Sequence, residues 1–188
     1  MDRIVEFVEE LAIPIVMINI LQPLPNTRLW KRLEKEGRLL HGKTSGDFYG
    51  MGFNYLPTRS QEEILAEFVR GLDRLYEPSR YLARVYRFFL TMRPTRRALA
   101  RQAGENVPAP PQTPMKLPSA HRAGEALAPL IRLIWRQGIR PGYRWQFWKQ
   151  LLGIYRQNPS RLKIYLICCS MGEDLFALRR NILKEWHG

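Results

Sequence analysis

The sequence is poor in the residues that most often build a chemical centre. Its 188 residues include only two cysteines, adjacent at Cys168 and Cys169. Two neighbouring thiols exclude a disulfide framework and a four-cysteine metal site. The three histidines, His41, His121 and His187, are scattered, with no His-x-x-x-His or His-Glu pairing. A histidine-built metal site therefore has no support. No G-x-x-x-x-G-K-[ST], G-x-G-x-x-G or G-x-S-x-G run occurs, which removes the phosphate-loop, dinucleotide and serine-hydrolase readings. Long apolar runs are lacking too. The longest uncharged stretch, Leu11 to Thr27, is broken by Pro14, Pro23 and Pro25, and its apolar part is about half of the roughly 20 residues a membrane span needs. Asp2, Glu6, Glu9 and Glu10 stand where a signal peptide would carry positive charge. The expected compartment is a reducing cytoplasm, with room for peripheral contact at the inner membrane face.

Acidic side chains are also scarce. There are 17 Asp and Glu against 30 Lys and Arg, a net charge of +13. Residues 1–100 hold 16 basic and 12 acidic side chains, and residues 101–188 hold 14 and 5. An electrostatic partner would therefore meet the C-terminal half. Glu34, Glu36, Glu62, Glu63 and Glu67 fall on polar helix faces, a setting that leaves no carboxylate poised as a general acid.

What is present is a fair globular composition, 45% hydrophobic with 21 aromatics, enough for a core. Ile4, Phe7, Val8 and Leu11 recur at helical spacing over 3–11, with Asp2 as the expected cap. Residues 13–21 form a compact β-branched run that predicts a strand covered on both faces. Pro23 and Pro25 stop it. Thr27 then caps a helix over 28–36, and Gly37 ends it. Such a strand needs neighbours, and only Phe48 to Leu56 offers another, weakened by Gly50 and Gly52. The chain thus reads as part of something larger.

Further on, Ser60 and Glu63 spell a capping box. Its helix carries Phe68, Val69, Leu72 and Leu75 and closes at Pro78. Ser79 is expected to start another, with Leu82, Val85, Tyr86 and Phe89 inward. Five prolines in 104–118 predict an exposed linker. Helices are expected over 125–137, Trp145 to Arg156, Ser160 to Met171-Gly172, and 173–186.

These segments resemble a known family. Leu21-Gln22-Pro23-Leu24-Pro25-Asn26-Thr27-Arg28-Leu29-Trp30, followed by Glu36-Gly37-Arg38-Leu39, is similar to the end of the catalytic barrel in cobalamin-binding-domain radical SAM proteins. Asn26 stands where that pattern commonly has glycine. Phe53-Asn54-Tyr55-Leu56-Pro57, Leu75-Tyr76-Glu77-Pro78, Arg84-Val85, Ile134-Trp135-Arg136 and Met171-Gly172 resemble the family's C-terminal helical domain. The resemblance covers nearly the whole chain.

It implies an α+β, predominantly α-helical fold. Residues 1–42 would be the last helix–strand–helix unit of a partial β/α barrel. Residues 43–103 would be a helical extension, 104–119 a Pro-rich linker, and 120–188 a basic, aromatic-rich helical subdomain. The implied partners are the barrel and cobalamin-binding domain, in the same or a neighbouring chain. The intact parent would use S-adenosylmethionine, a [4Fe–4S] cluster and cobalamin, and would methylate a lipid-like or other unactivated carbon. The cluster motif Cys-x-x-x-Cys-x-x-Cys is absent here, and Cys168-Cys169 cannot replace it. No cofactor, catalytic residue or metal ligand is therefore assigned to this chain alone, which is expected to be inactive by itself. Its expected work is to finish the barrel wall and cover the substrate.

Two sets of binding residues are candidates. Asn19, Gln22 and Asn26 follow the expected barrel strand at its C-terminal end, where β/α barrels carry their sites, and would face S-adenosylmethionine or substrate. Arg132, Arg136, Arg140, Arg144, Trp145 and Trp148 interleave cations with aromatics. That pattern suits an anionic membrane surface, nucleic acid, or a solvated domain whose aromatics form core. Nucleic acid is the least favoured of the three. Cys168 and Cys169 are expected to be small core residues. An alternative to the fragment reading is a stand-alone basic helical module that binds an anionic surface or a protein partner.

Overall fold

In a computed structural model, residues 1–40, 52–104 and 131–187 are described. They form α1 (Asp2–Glu10), α2 (Arg28–Lys35), α3 (Gln61–Leu75), α4 (Pro78–Thr91), α5 (Arg96–Gln102), α6 (Arg144–Gln157) and α7 (Leu162–His187). A π-helical stretch, Ile134–Ile139, precedes α6, and a 3₁₀ turn, Pro159–Arg161, precedes α7. The expected linker 104–119 lies almost wholly outside the described residues, as do Gly50, His41, His121 and the first half of the 125–137 helix.

Two apolar clusters hold the helices together. Tyr81, Leu82, Val85 and Phe89 of α4 meet Phe147 and Ile154 of α6 and Tyr165, Cys169 and Phe176 of α7. Val5 and Val8 of α1 meet Phe68, Val69, Leu72 and Leu75 of α3 and Ile182 of α7. Helix α7 joins both, so it is the spine of the molecule. The helix predicted to stop at Met171-Gly172 runs on without a break. Gly172 is there for close packing, since a Cβ would lie 2.5 Å from Tyr81 Cε1.

The predicted strand over 13–21 is not formed. The segment is extended, but no β-ladder exists among the described residues; Leu39 and Tyr55 make one isolated antiparallel bridge. A strand needs a partner's backbone; among the described residues, side chains catch the carbonyls of Val16 and Ile13. Tyr76 donates its hydroxyl to the Val16 carbonyl (2.5 Å), and Arg84 Nε donates to that of Ile13 (2.8 Å). The barrel remnant expected in residues 1–42 is thus a helix, an extended strap and a helix. Val16, Ile18 and Ile20 pack on the α3–α7 cluster, while Met17, Asn19 and Leu21 point out.

The caps divide between expected and revised. Thr27 Oγ1 accepts the Trp30 amide, and Gly37 takes the left-handed φ of +65°. Ser60, however, makes no side-chain cap hydrogen bond, so the capping box is not closed. Helix α4 begins at Pro78, not Ser79, because the Glu77 carboxylate accepts the amides of Ser79 (3.1 Å) and Arg80 (2.7 Å). Proline suits that first position, where its missing N–H costs nothing. At α1 the cap position is Met1, with Asp2 inside the first turn.

Helix α1 also faces differently from its pattern. Val5 and Val8 are buried, and Ile4, Phe7 and Leu11 are exposed, Phe7 by 55%. Of the four apolar residues at helical spacing, Val8 faces the core, and Ile4, Phe7 and Leu11 form an outward apolar face.

Candidate functional site

The strap is the first place where the candidate residues can be tested by position. Asn19 lines two apolar clefts, one on each side of the strap. The first, about 150 Å³, lies against Tyr76, Met171 and Leu178. The second, about 180 Å³, lies against Ile4, Phe53 and Phe68. Both fall below the roughly 300 Å³ at which small-molecule sites begin, so neither holds a nucleoside-sized ligand by itself. Gln22 and Asn26 are not brought to these clefts. Gln22 Nε2 donates to the Gly52 carbonyl (3.3 Å). Asn26 sits at φ +67°, in the left-handed region. Asparagine tolerates that conformation better than most residues, which explains how it stands where the related pattern has glycine.

A residue the sequence reading passed over holds this loop. Asn54 is buried, and its Nδ2 donates to the Pro23 carbonyl (3.0 Å). Arg84 is a second omission. It is 1% exposed, and it donates to Ile13 and Leu75 carbonyls at 2.8 and 2.9 Å. Burial lowers its pKa from the ordinary guanidinium value. The signal for it was spacing: Arg84 lies three residues after Tyr81, on the buried side of α4.

The basic–aromatic candidates divide over two surfaces. Arg136 and Arg140 line an open groove of about 810 Å³ with Tyr143, Glu173 and Arg180. Arg136 is already paired there, 2.8 Å from the Glu173 carboxylate. Burial, the largest cause, and the nearby Glu173 push the Tyr143 hydroxyl up to about 12. Arg132 is exposed one turn before Arg136. Arg144, Trp145 and Trp148 belong to the outer side of α6. The Arg144 guanidinium lies 5.9 Å from the Trp145 ring centre, and Trp148 Nε1 donates to the Gly138 carbonyl (2.8 Å). Phe147, between them in sequence, is fully buried.

Cys168 and Cys169 are both buried. Their carbonyls accept from Tyr81 Oη (2.7 Å) and Gln137 Nε2 (2.6 Å). Burial raises both thiols, Cys169 to about 12. Two buried, protonated thiols on consecutive helix positions do not fit a cluster that needs three thiolates. No set of three metal-capable side chains gathers among the described residues. No helix among them is long and apolar enough to cross a membrane.

What these elements define is a helical module that carries a strap and a basic, aromatic helix. Residues 27–187 match the family model described as a domain of unknown function, DUF4070. The chain belongs to that family, the C-terminal domain of cobalamin-binding-domain radical SAM proteins. It is 35% identical over 184 residues to an uncharacterized methyltransferase from Synechocystis, covering 98% of this chain and 31% of that protein. It is 31% identical over 151 residues to the hopanoid C-2 methylase of Rhodopseudomonas palustris, covering 79% of this chain and 24% of that protein. The chain thus spans a quarter to a third of the length of these relatives, whose N-terminal domains have no counterpart in it. No solved structure matches.

Proposed function

We propose that this chain is the C-terminal portion of an S-adenosylmethionine-dependent radical methylase. In that protein its strap and α1 complete the wall of the catalytic barrel. The observation that carries the reading is the strap. Residues 16–21 are extended and alternate, one set of side chains packed on α3 and α7 and the other, Met17, Asn19 and Leu21, outward. Met17 is 65% exposed. That period of two is the signature of a strand, and here one face is exposed among the described residues. Ile4, Phe7 and Leu11 of α1 add an uncovered apolar stripe on the neighbouring element. The names of the two relatives support methyl transfer as the parent reaction.

The residues of this chain do not fit a [4Fe–4S] cluster, so the cluster, S-adenosylmethionine and any cobalamin belong to the remainder of the protein. Asn19 is the one candidate whose position suits contact across the joint, at a cleft the barrel would deepen. Gln22 and Asn26 serve to shape the turn between strap and α2. The substrate belongs to the class of lipid-like or other unactivated carbon centres.

The test is amide hydrogen exchange over residues 15–21. It is measured in the 188-residue chain and in the same chain fused to the N-terminal remainder of the Synechocystis relative. Pairing in a sheet should slow these amides by about 100-fold or more, the size of a local stabilisation of roughly 3 kcal/mol. Equal exchange in the two proteins would sink the barrel reading.

A further inference from the structure

The outer side of α6 is the second uncovered apolar face, and its surroundings differ from those of α1. Trp145, Trp148, Leu152 and Tyr155 follow one another at intervals of three, four and three residues. At 100° per residue they fall within one narrow stripe, opposite the buried Phe147, Gln150 and Ile154. All four are exposed, Trp145 by 74% and Tyr155 by 61%. Lys149 and Arg156 border the stripe on one side and Arg144 on the other, each exposed. Trp148 carries the face onto the π-helical stretch, because its ring lies against Gly138 and its Nε1 is bonded to that carbonyl. Trp135 and Ile139 are exposed on that stretch.

We propose that this face docks on an anionic phospholipid bilayer, lying in the interface with Trp145, Trp148, Leu152 and Tyr155 in the headgroup–acyl boundary. Three observations favour a bilayer over a protein. Cations flank the apolar stripe on both sides, and the described exposed side chains of α6 include no Asp or Glu, which is complementary to anionic headgroups. The apolar residues are mainly Trp and Tyr, whose amphipathic rings prefer the interface to either phase. The stripe lies on the outer side of a helix, opposite the buried Phe147, Gln150 and Ile154, so it can lie flat on a planar surface. The face shares no residue with α1 or the strap, so it stands or falls separately from the barrel reading.

The experiment uses the whole 188-residue chain with vesicles of phosphatidylcholine, alone or with one third phosphatidylglycerol, some carrying brominated acyl chains. The chain should sediment with the phosphatidylglycerol vesicles and not with pure phosphatidylcholine, and raised salt should release it. Brominated lipid should quench tryptophan fluorescence, and Trp145→Ser should remove much of that quenching. Arg144→Gln, Lys149→Gln and Arg156→Gln together should weaken binding about 100-fold, at about fivefold per cation. Leu152→Ser with Tyr155→Ser should weaken it at least tenfold. These side chains are exposed, and an unchanged melting curve for each variant excludes a folding defect. Three results overturn the proposal: no sedimentation with anionic vesicles, binding indifferent to these substitutions, or tighter capture by an oligonucleotide than by vesicles. Protection of Trp145 from aqueous quencher in the barrel fusion, with no vesicle present, would assign the face to that barrel instead.

Discussion

Replacing Gly172 with alanine sets two effects of opposite sign against each other. Glycine inside a helix costs about 1 kcal/mol relative to alanine, and Gly172 sits well inside α7. Propensity alone therefore predicts stabilisation. Packing predicts the reverse. The new methyl would lie 2.5 Å from Tyr81 Cε1, 3.0 Å from Cδ1 and 3.2 Å from Phe176 Cζ. Tyr81 cannot swing aside cheaply. It is fully buried, stands edge-on to Phe176 at 5.4 Å, and donates its hydroxyl to the Cys168 carbonyl. Overpacking of a filled core costs about 1–3 kcal/mol, and losing the buried hydroxyl's bond adds about 1–3. The net expectation is destabilisation by about 2 kcal/mol, a fall in Tm of roughly 4–8 °C for a chain of this size. Urea unfolding followed by circular dichroism measures it. Gly153→Ala on α6 sets the same conflict, since the new methyl would meet the Tyr86 hydroxyl and lie 2.9 Å from Cζ and 3.0 Å from Cε2. Tyr86 is only half-buried, so the loss should be smaller than at Gly172, about 1 kcal/mol. Tyr81→Leu should remove the clash, making Gly172→Ala stabilising in that background. If Gly172→Ala stabilises the otherwise unaltered chain, the close approach of α4 and α7 is not as described.

Three further outcomes follow from single residues. Arg84→Met strips donors from the Ile13 and Leu75 carbonyls and should lower the urea midpoint by the equivalent of about 2 kcal/mol, the relief of a buried charge offsetting part of the loss; an unchanged midpoint would mean that the Arg84 hydrogen bonds do not hold the strap. Asn26→Gly should be neutral or slightly stabilising, and Asn26→Ala should cost about 1 kcal/mol, because φ is +67° there; equal melting of the two variants would refute the turn's conformation. Cys169 has its folded pKa raised from 9.0 to about 12 by burial, so its contribution is complete below the unfolded value and is lost as pH rises from 9 towards 12. Burial raises Tyr81 and Tyr165 as well, steepening the loss above pH 10. Urea midpoints between pH 8 and 10.5 should fall, and Cys169→Ala should flatten the first part of that fall.

The helices were legible in the sequence because α2, α3 and α4 each carry one apolar stripe with a clear punctuation mark, Thr27, Pro78 or Gly37. Where the reading went astray, a local signal had a non-local cause. Gly172 looks like a stop in sequence, but the ring of Tyr81, far away along the chain, is what requires it. The β-branched run over 13–21 has the composition of a strand, but strand formation needs a paired neighbour, and no ladder forms on it among the described residues. Arg84 and Asn54 stand in the motifs of the sequence but carried no role there, because a lone polar residue in an apolar pattern gives no hint of which carbonyl it will reach. Among the binding candidates, Asn19 is exposed at a cleft, Gln22 donates to the Gly52 carbonyl, and Asn26 takes a left-handed φ. The outer stripe of α6 was hardest to see. That helix is apolar on both sides, so periodicity cannot say whether Phe147 and Ile154 or Trp145 and Leu152 face the core.

Charge separates the exposed apolar faces of α1 and α6. Ile4, Phe7 and Leu11 share the exposed side of α1 with Arg3, Glu6 and Glu10, a rim of net negative charge. An anionic bilayer would repel that rim, so hydrophobic burial there would have to overcome unfavourable electrostatics. A protein surface bearing Lys or Arg would have no such cost, which suits a domain interface. The α6 stripe has the reverse rim, Arg144, Lys149 and Arg156. A bilayer supplies negative charge evenly along its plane, and a stripe on the outer side of a helix can use it without matching any particular shape. The same asymmetry appears in the totals, with 12 of the 17 acids in the first 100 residues and only 5 in the rest. Exchanging the rims makes the argument decisive. Lys149→Glu with Arg156→Glu should abolish vesicle binding while leaving the strap's exchange protection in the barrel fusion intact. Glu6→Lys with Glu10→Lys should weaken the barrel joint and leave vesicle binding undiminished. If either pair of substitutions moved both readouts, the two faces would not be independent, and a single partner covering both would explain the molecule better.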